Sequence, residues 1–140
     1  MKILMDTNAL IAASRYPNGT PYKALEKALT PPHILTICEQ NLEELRNVYN
    51  RIFSREIYML ENFLAVFMPF IEIIPIPAEK SEDEKKVRHV KDRPILRAAI
   101  AANIDIIVTG DKDFLESGLT TPKIMSPADF VDFIDSDTQT

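Results

Sequence analysis

Acidic side chains recur in this sequence beside segments that should be buried. Asp6 ends the apolar run Ile3-Leu4-Met5 and is followed by Thr7 and Asn8. Asp111 and Asp113 follow "IDIIVTG", Asp92 heads "PILRAAIAAN", and Glu43 and Glu44 sit in "EQNLEELRNVYNRIF". Each has an ordinary explanation. An Asp before a helix caps free backbone N–H groups, an Asp beside Gly110 suits a turn, and a Glu on an outer helix face is simply solvated. The alternative is one shared site. Carboxylates within a few ångströms of each other repel and raise each other's pKa values, and a divalent cation removes that repulsion. Oxygen donors without a His or Cys cluster point to Mg²⁺ or Mn²⁺ rather than zinc. Such ions activate water and stabilise phosphoryl transfer.

Whether these acids can meet depends on the elements that carry them. "MKILM", "HILTI", "FIEIIPI", "IDIIVTG" and "PKIMS" read as strands. Between and after them, "LIAASRY", "YKALEKAL", "EQNLEELRNVYNRIF", "REIYMLENFLAVF", "PILRAAIAAN", "DKDFLESG" and "PADFVDFI" read as helices or helical turns. "PNGTP" and Thr30-Pro31-Pro32 punctuate the chain. "PAEKSEDEKKVRHVKDR" is polar, with room for one short helix. Strands alternating with helices imply βαβ units and a parallel sheet covered on both faces. Ligands of such sheets bind outside the carboxyl ends of the strands, where Asp6 and Asp111 fall.

Helical geometry sorts the remaining acids. At about 100° per residue, Leu42, Leu45, Val48, Tyr49 and Ile52 form one stripe. Glu43 points away from it, and Glu44 lies on its flank, within reach of the sheet edge. Asp92 lines up with Ile95, Leu96 and Ala99, which should face the sheet.

Composition bounds the reading. The chain has 140 residues, 46% hydrophobic and 26% charged, as expected for one globular domain spanning 1–140, with residues 135–140 as a frayed tail. Cys38 is the single cysteine, so an intrachain disulfide is excluded; this fits a cytoplasmic location. Its expected role is structural, because no nearby base is apparent for thiol catalysis. Asp6 interrupts the apolar opening and argues against a secretory signal. "FLAVFMPFIEIIPIP" contains Glu72 and interior prolines and is too broken to span a bilayer, so no membrane association is expected. A formal charge of −5 counts against nonspecific coating of duplexes. It leaves room for a nuclease, whose acidic pocket lowers the sum by itself. Phe63, Phe67, Phe70 and Tyr58 are expected in the core.

The stretches "ILMDTNALIAA", "EELRNV", "KDRPILRAAIAANIDIIVTGDKDFL" and "IMSPADF" together resemble PIN-domain ribonucleases, of the branch containing many prokaryotic toxins. The third stretch is the most specific, and the likeness covers nearly the whole chain. The resemblance implies a three-layer α/β/α sandwich with a five-stranded parallel sheet. It also implies Mg²⁺- or Mn²⁺-dependent cleavage of RNA. On this resemblance Asp6, Glu44, Asp92 and Asp111 are the catalytic and metal-binding acids. Asp113 is a further metal ligand, and Asn8 and Thr109 are polar supports. An antitoxin protein is the implied partner, and a homodimer is compatible with the branch. One position departs from the pattern: relatives often carry an acid three residues before the Asp92 position, where this chain has His89.

The segment "KKVRHVKDRPILR" contains Lys85, Lys86, Arg88, Lys91, Arg93 and Arg97. It reads either as a solvated loop or as a rim that guides phosphates. Arg88, His89, Lys91 and Arg93 are the substrate-binding candidates. Two other functions compete. A PIN-like domain could bind RNA without cutting it. An acidic phosphoacceptor domain would need paired acids after its first strand, an acceptor Asp after its third and a Lys after its fifth. Here Asp6 has no acidic neighbour, the third strand runs into Ile74-Pro75-Ile76-Pro77, and no lysine follows Met125.

Overall fold

Ile3, Leu4 and Met5 are all fully shielded from solvent, yet they do not share one core. Ile3 and Met5 pack on one face of strand β1 (Lys2–Met5) and Leu4 packs on the other. Side chains alternate along a strand, so a strand apolar at every position needs cover on both faces. A computed structural model, which describes residues 1–134, supplies that cover. The tail expected to fray, 135–140, lies outside the described residues.

The remaining strands are β2 (Ile34–Cys38), β3 (Glu72–Ile74), β4 (Ile106–Val108) and β5 (Lys123–Met125). All pair in parallel, in the order β3-β2-β1-β4-β5. Helices α1 (Thr7–Arg15), α2 (Thr20–Leu29), α3 (Glu39–Ile52) and α4 (Ile57–Phe67) precede α5 (Arg93–Ala101), α6 (Lys112–Leu115) and α7 (Pro127–Asp132). The first four and α7 cover the Ile3 face, through residues such as Leu10, Leu25, Tyr49, Phe63 and Phe130. Helices α5 and α6 cover the Leu4 face, through Ile95, Leu96, Ala99 and Phe114. This is the expected three-layer α/β/α sandwich on a five-stranded parallel sheet. Among the described residues no helix is long and apolar enough to cross a membrane.

Local chemistry moves several element boundaries. Helix α1 begins at Thr7 rather than Leu10, because Asp6 caps it directly by accepting from Ala9 N at 3.1 Å. Strand β3 keeps only Glu72–Ile74: Pro69 lies in a 3₁₀ turn, Met68–Phe70, and Pro75 has no N–H to continue the ladder. Two 3₁₀ turns, Glu82–Lys86 and Val90–Asp92, replace the single short helix expected before α5. The expected aromatic core is only partly present. Phe63 is buried and Phe67 partly so, but Phe70 and Tyr58 are 71% and 64% exposed. Phe70 is stranded in the proline turn, and Tyr58 faces out from the first turn of α4. Ile52, expected on the apolar stripe of α3, is also exposed, because the buried line runs through Asn41, Leu45 and Tyr49 and Ile52 is the last helical residue.

The loop between β3 and α5 is pinned by a buried ion pair. Arg97 donates from Nε and Nη2 to the two oxygens of Glu84 at 2.9 and 3.0 Å, and from Nη1 to Pro77 O at 3.0 Å. Ser81 N also donates to Glu84, which is 4% exposed. These bonds hold the Glu84 carboxyl below its usual pKa range, with Arg97 the main cause. Removing one partner of such a pair leaves the other charge without its hydrogen-bond partners. Arg97→Met should therefore lower the Tm by on the order of 10 °C. An unchanged melting curve would mean that Glu84 is rehydrated at little cost.

Candidate active site

In an open parallel sheet the crevice opens where the strand order reverses. Here that point lies between β1 and β4. Met5 is in register with Val108, so Asp6 and Thr109 leave the sheet side by side, and Asp6 N donates to Val108 O at 3.1 Å. The Thr109 hydroxyl is buried and joins two acids. It donates to Asp6 Oδ2 and accepts from Asp111 N, the latter at 3.0 Å. Asp111 in turn caps α6 by accepting from Asp113 N at 2.9 Å.

The other wall comes from α3, which starts directly at the end of β2. Cys38 is fully buried at the helix N-cap, and burial pushes its thiol pKa up, as befits a structural residue. Asn41 accepts from Cys38 N at 3.0 Å and donates to Thr7 Oγ1 at 3.1 Å. Thr7 passes the chain on, donating to Glu44 Oε2 at 2.7 Å. Gln40 lies one turn before Glu44, where i,i+4 side chains meet, and donates to Glu44 Oε1 at 2.8 Å. The same amide nitrogen reaches Lys91 O at 2.9 Å, tying α3 to the turn that presents Asp92. Glu43 is exposed.

A cavity of about 400 Å³ gathers the result. Asp6, Glu44, Asp92 and Asp111 all line it, with Thr7, Asn8, Asn47, Arg51, His89 and Lys91. Asn8 is exposed at its rim. Asp113 does not line it, because residues two apart on a helix do not share a face. Arg88 does not line it either, and Arg93 donates instead to Val87 O at 2.9 Å and borders a neighbouring cavity. Asn47 and Arg51 were missed in the sequence, although their spacing from Glu44, at i+3 and i+7, was the available signal.

The electrostatics are those of crowded anions. Burial is the largest influence on Asp6 and raises its pKa, against hydrogen bonds from Thr109 and Ala9. Asp92 is pushed up to about 8, first by burial, then by the adjacent Asp111 carboxyl, and then by the charges of Asp6 and Glu44. Asp92 makes no side-chain capping bond to α5, and its Oδ2 is buried without a hydrogen-bond partner. His89 Nδ1 lies 4.0 Å from that oxygen. Among the described residues no three acids or imidazoles are close enough together to grip one ion. Mg²⁺-like ions do not require that, since they retain several waters and use one or two carboxylates with substrate oxygens. The orphaned oxygen and the all-oxygen donor set fit such an ion.

Sequence comparison decides the family. The family model described as PIN domain matches residues 2–113. The chain belongs to the PIN-domain family. No curated protein matches this PIN-domain chain. Among solved structures, one that resembles it is VapBC2 from Rickettsia felis, bound to a DNA fragment from its promoter. The two are 21% identical with a TM-score of 0.66, over 90% of this chain and 98% of that one. Another is VapC20 of Mycobacterium tuberculosis, a sarcin-ricin loop cleaving toxin. There the identity is 16% and the TM-score 0.55, over 84% of this chain and 95% of that one. At these identities the likeness is one of fold.

Proposed function

We propose that this PIN domain is a divalent-metal-dependent endoribonuclease and the toxin of a toxin–antitoxin pair. The observation that carries the reading is the convergence of Asp6, Glu44, Asp92 and Asp111 on one cavity, with a buried carboxylate oxygen of Asp92 left unpartnered. Membership of the family supports nuclease chemistry, and the names of the two similar structures support the toxin role and an antitoxin partner. A cytoplasmic location agrees with a single buried thiol.

One or two carboxylates from the set Asp6, Glu44, Asp92 and Asp111, with water completing the shell, would hold Mg²⁺ or Mn²⁺. When bound, such an ion supplies an activated water and offsets charge on a phosphodiester as it is displaced. The chain's own groups provide the setting. Thr109 fixes the spacing of Asp6 and Asp111, and Thr7 and Gln40 orient Glu44 from two sides. Lys91 stands at the cavity edge, where it can meet phosphate, and His89 lies beside Asp92. The phosphoacceptor reading loses support, since β3 is an edge strand and an acceptor after it would sit away from the central crevice.

The test is single-turnover cleavage of structured and single-stranded RNA by purified protein, with Mn²⁺ or with excess chelator. Cleavage should need the ion. Full activity in chelator, from protein free of contaminating nuclease, would overturn the mechanism. Metal-supported RNA binding without cutting would favour a non-catalytic RNA-binding domain.

A further inference from the structure

A cavity floored by four carboxylates repels the backbone it is proposed to cut, so cations must offset that repulsion at its mouth. The basic segment before α5 contributes few of them. Lys85 pairs with Glu82 at 3.1 Å, Lys86 with Asp83 at 3.4 Å, and Arg97 is committed to Glu84. Arg93 is turned to Val87 O, and Arg88 lies outside the cavity. Only Lys91 of these lines it.

The other full cation comes from α3. Arg51 lines the same cavity, is exposed, and makes no ion pair or hydrogen bond among the described residues. By contrast Arg15 and Arg46 are paired with Glu56 and Glu61. Arg51 follows Glu44 and Asn47 along one face of α3, while Lys91 belongs to the turn that bears Asp92. The two cations thus approach the cavity from different elements. Neither is drawn down onto the acids, so both keep their charge for a ligand.

We infer that Arg51 and Lys91 form a two-sided clamp for a phosphodiester next to the scissile one in an RNA strand. This rests on the endoribonuclease reading above and adds Arg51 to it. Guanidinium suits the task because its fork can take two phosphate oxygens at once.

The test is fluorescence anisotropy of a short labelled single-stranded RNA in excess chelator, so that no cutting occurs, across a salt series. Arg51→Gln should weaken binding on the order of three- to tenfold and reduce the slope of log K against log salt by roughly 0.7 to 1. Arg51→Lys should restore most of the slope. Arg55→Gln removes an arginine that lies outside the cavity and should match wild type. Equal behaviour of Arg51→Gln and Arg55→Gln, with wild-type binding and cleavage intact, would overturn the clamp alone. Absence of both RNA binding and Mn²⁺-supported cleavage in wild type would overturn the clamp together with the nuclease reading.

Discussion

Glu44→Gln should slow RNA cleavage by about 100-fold or more, while Glu43→Gln leaves it near wild type. The neighbours have the same side chain, so bulk charge and composition cannot separate them. Their surroundings can. Glu44 Oε2 accepts from Thr7 Oγ1 and Oε1 accepts from Gln40 Nε2. Both partners are donors, and a carboxylate serves them with both oxygens. A glutamine has only one carbonyl oxygen, so its NH₂ must face a donor on one side or the other. The substitution thus removes a negative charge from the cavity and disturbs two positioning bonds at once. Glu43 is exposed and lies outside the cavity. Single-turnover rates of both variants at saturating Mn²⁺ make the comparison. A dead Glu43 variant beside an active Glu44 variant would sink the assignment.

The second large effect should appear without substrate. Asp92 has a pKa of about 8 in the folded chain, far above its ordinary value of 3.8. The folded state therefore binds a proton more tightly than the unfolded state does. That contribution to stability is complete below about pH 4 and is lost as pH rises through about 8. Both the raised pKa and the direction of the linkage make the metal-free protein less stable as pH rises across that window, by an amount that solvent reaching the open side of the cavity reduces. Thermal melts in chelator at stepped pH should show the fall, and Asp92→Asn should flatten it and raise the Tm at pH 8. Added Mn²⁺ should reverse the trend, since ligation requires the deprotonated carboxylate. A wild-type Tm that does not fall between pH 5 and 8 would mean that Asp92 is better hydrated than its buried Oδ2 implies.

Much of this protein was legible in its sequence. The all-apolar Ile3-Leu4-Met5 run and the alternation of strand with helix require a parallel sheet covered on both faces, because strand side chains alternate and backbone twist limits how βαβ units return. The position of Asp6 and Asp111 at strand ends follows from the same local pattern. So does the contrast between an outward Glu43 and a flanking Glu44, which depends only on helical pitch. Other features were set by residues far apart in the chain. Gln40 reaches the Lys91 carbonyl, Thr109 reaches Asp6, and Arg97 is diverted to Glu84, across separations that no periodicity records. Exposed Phe70, excluded Asp113 and cavity-lining Arg51 follow from how each element is seated against its neighbours. Local patterns specify which way a side chain points on its own element. Which charges share a cavity depends on the relative placement of elements, and that arises only when the two apolar faces of the sheet are buried together.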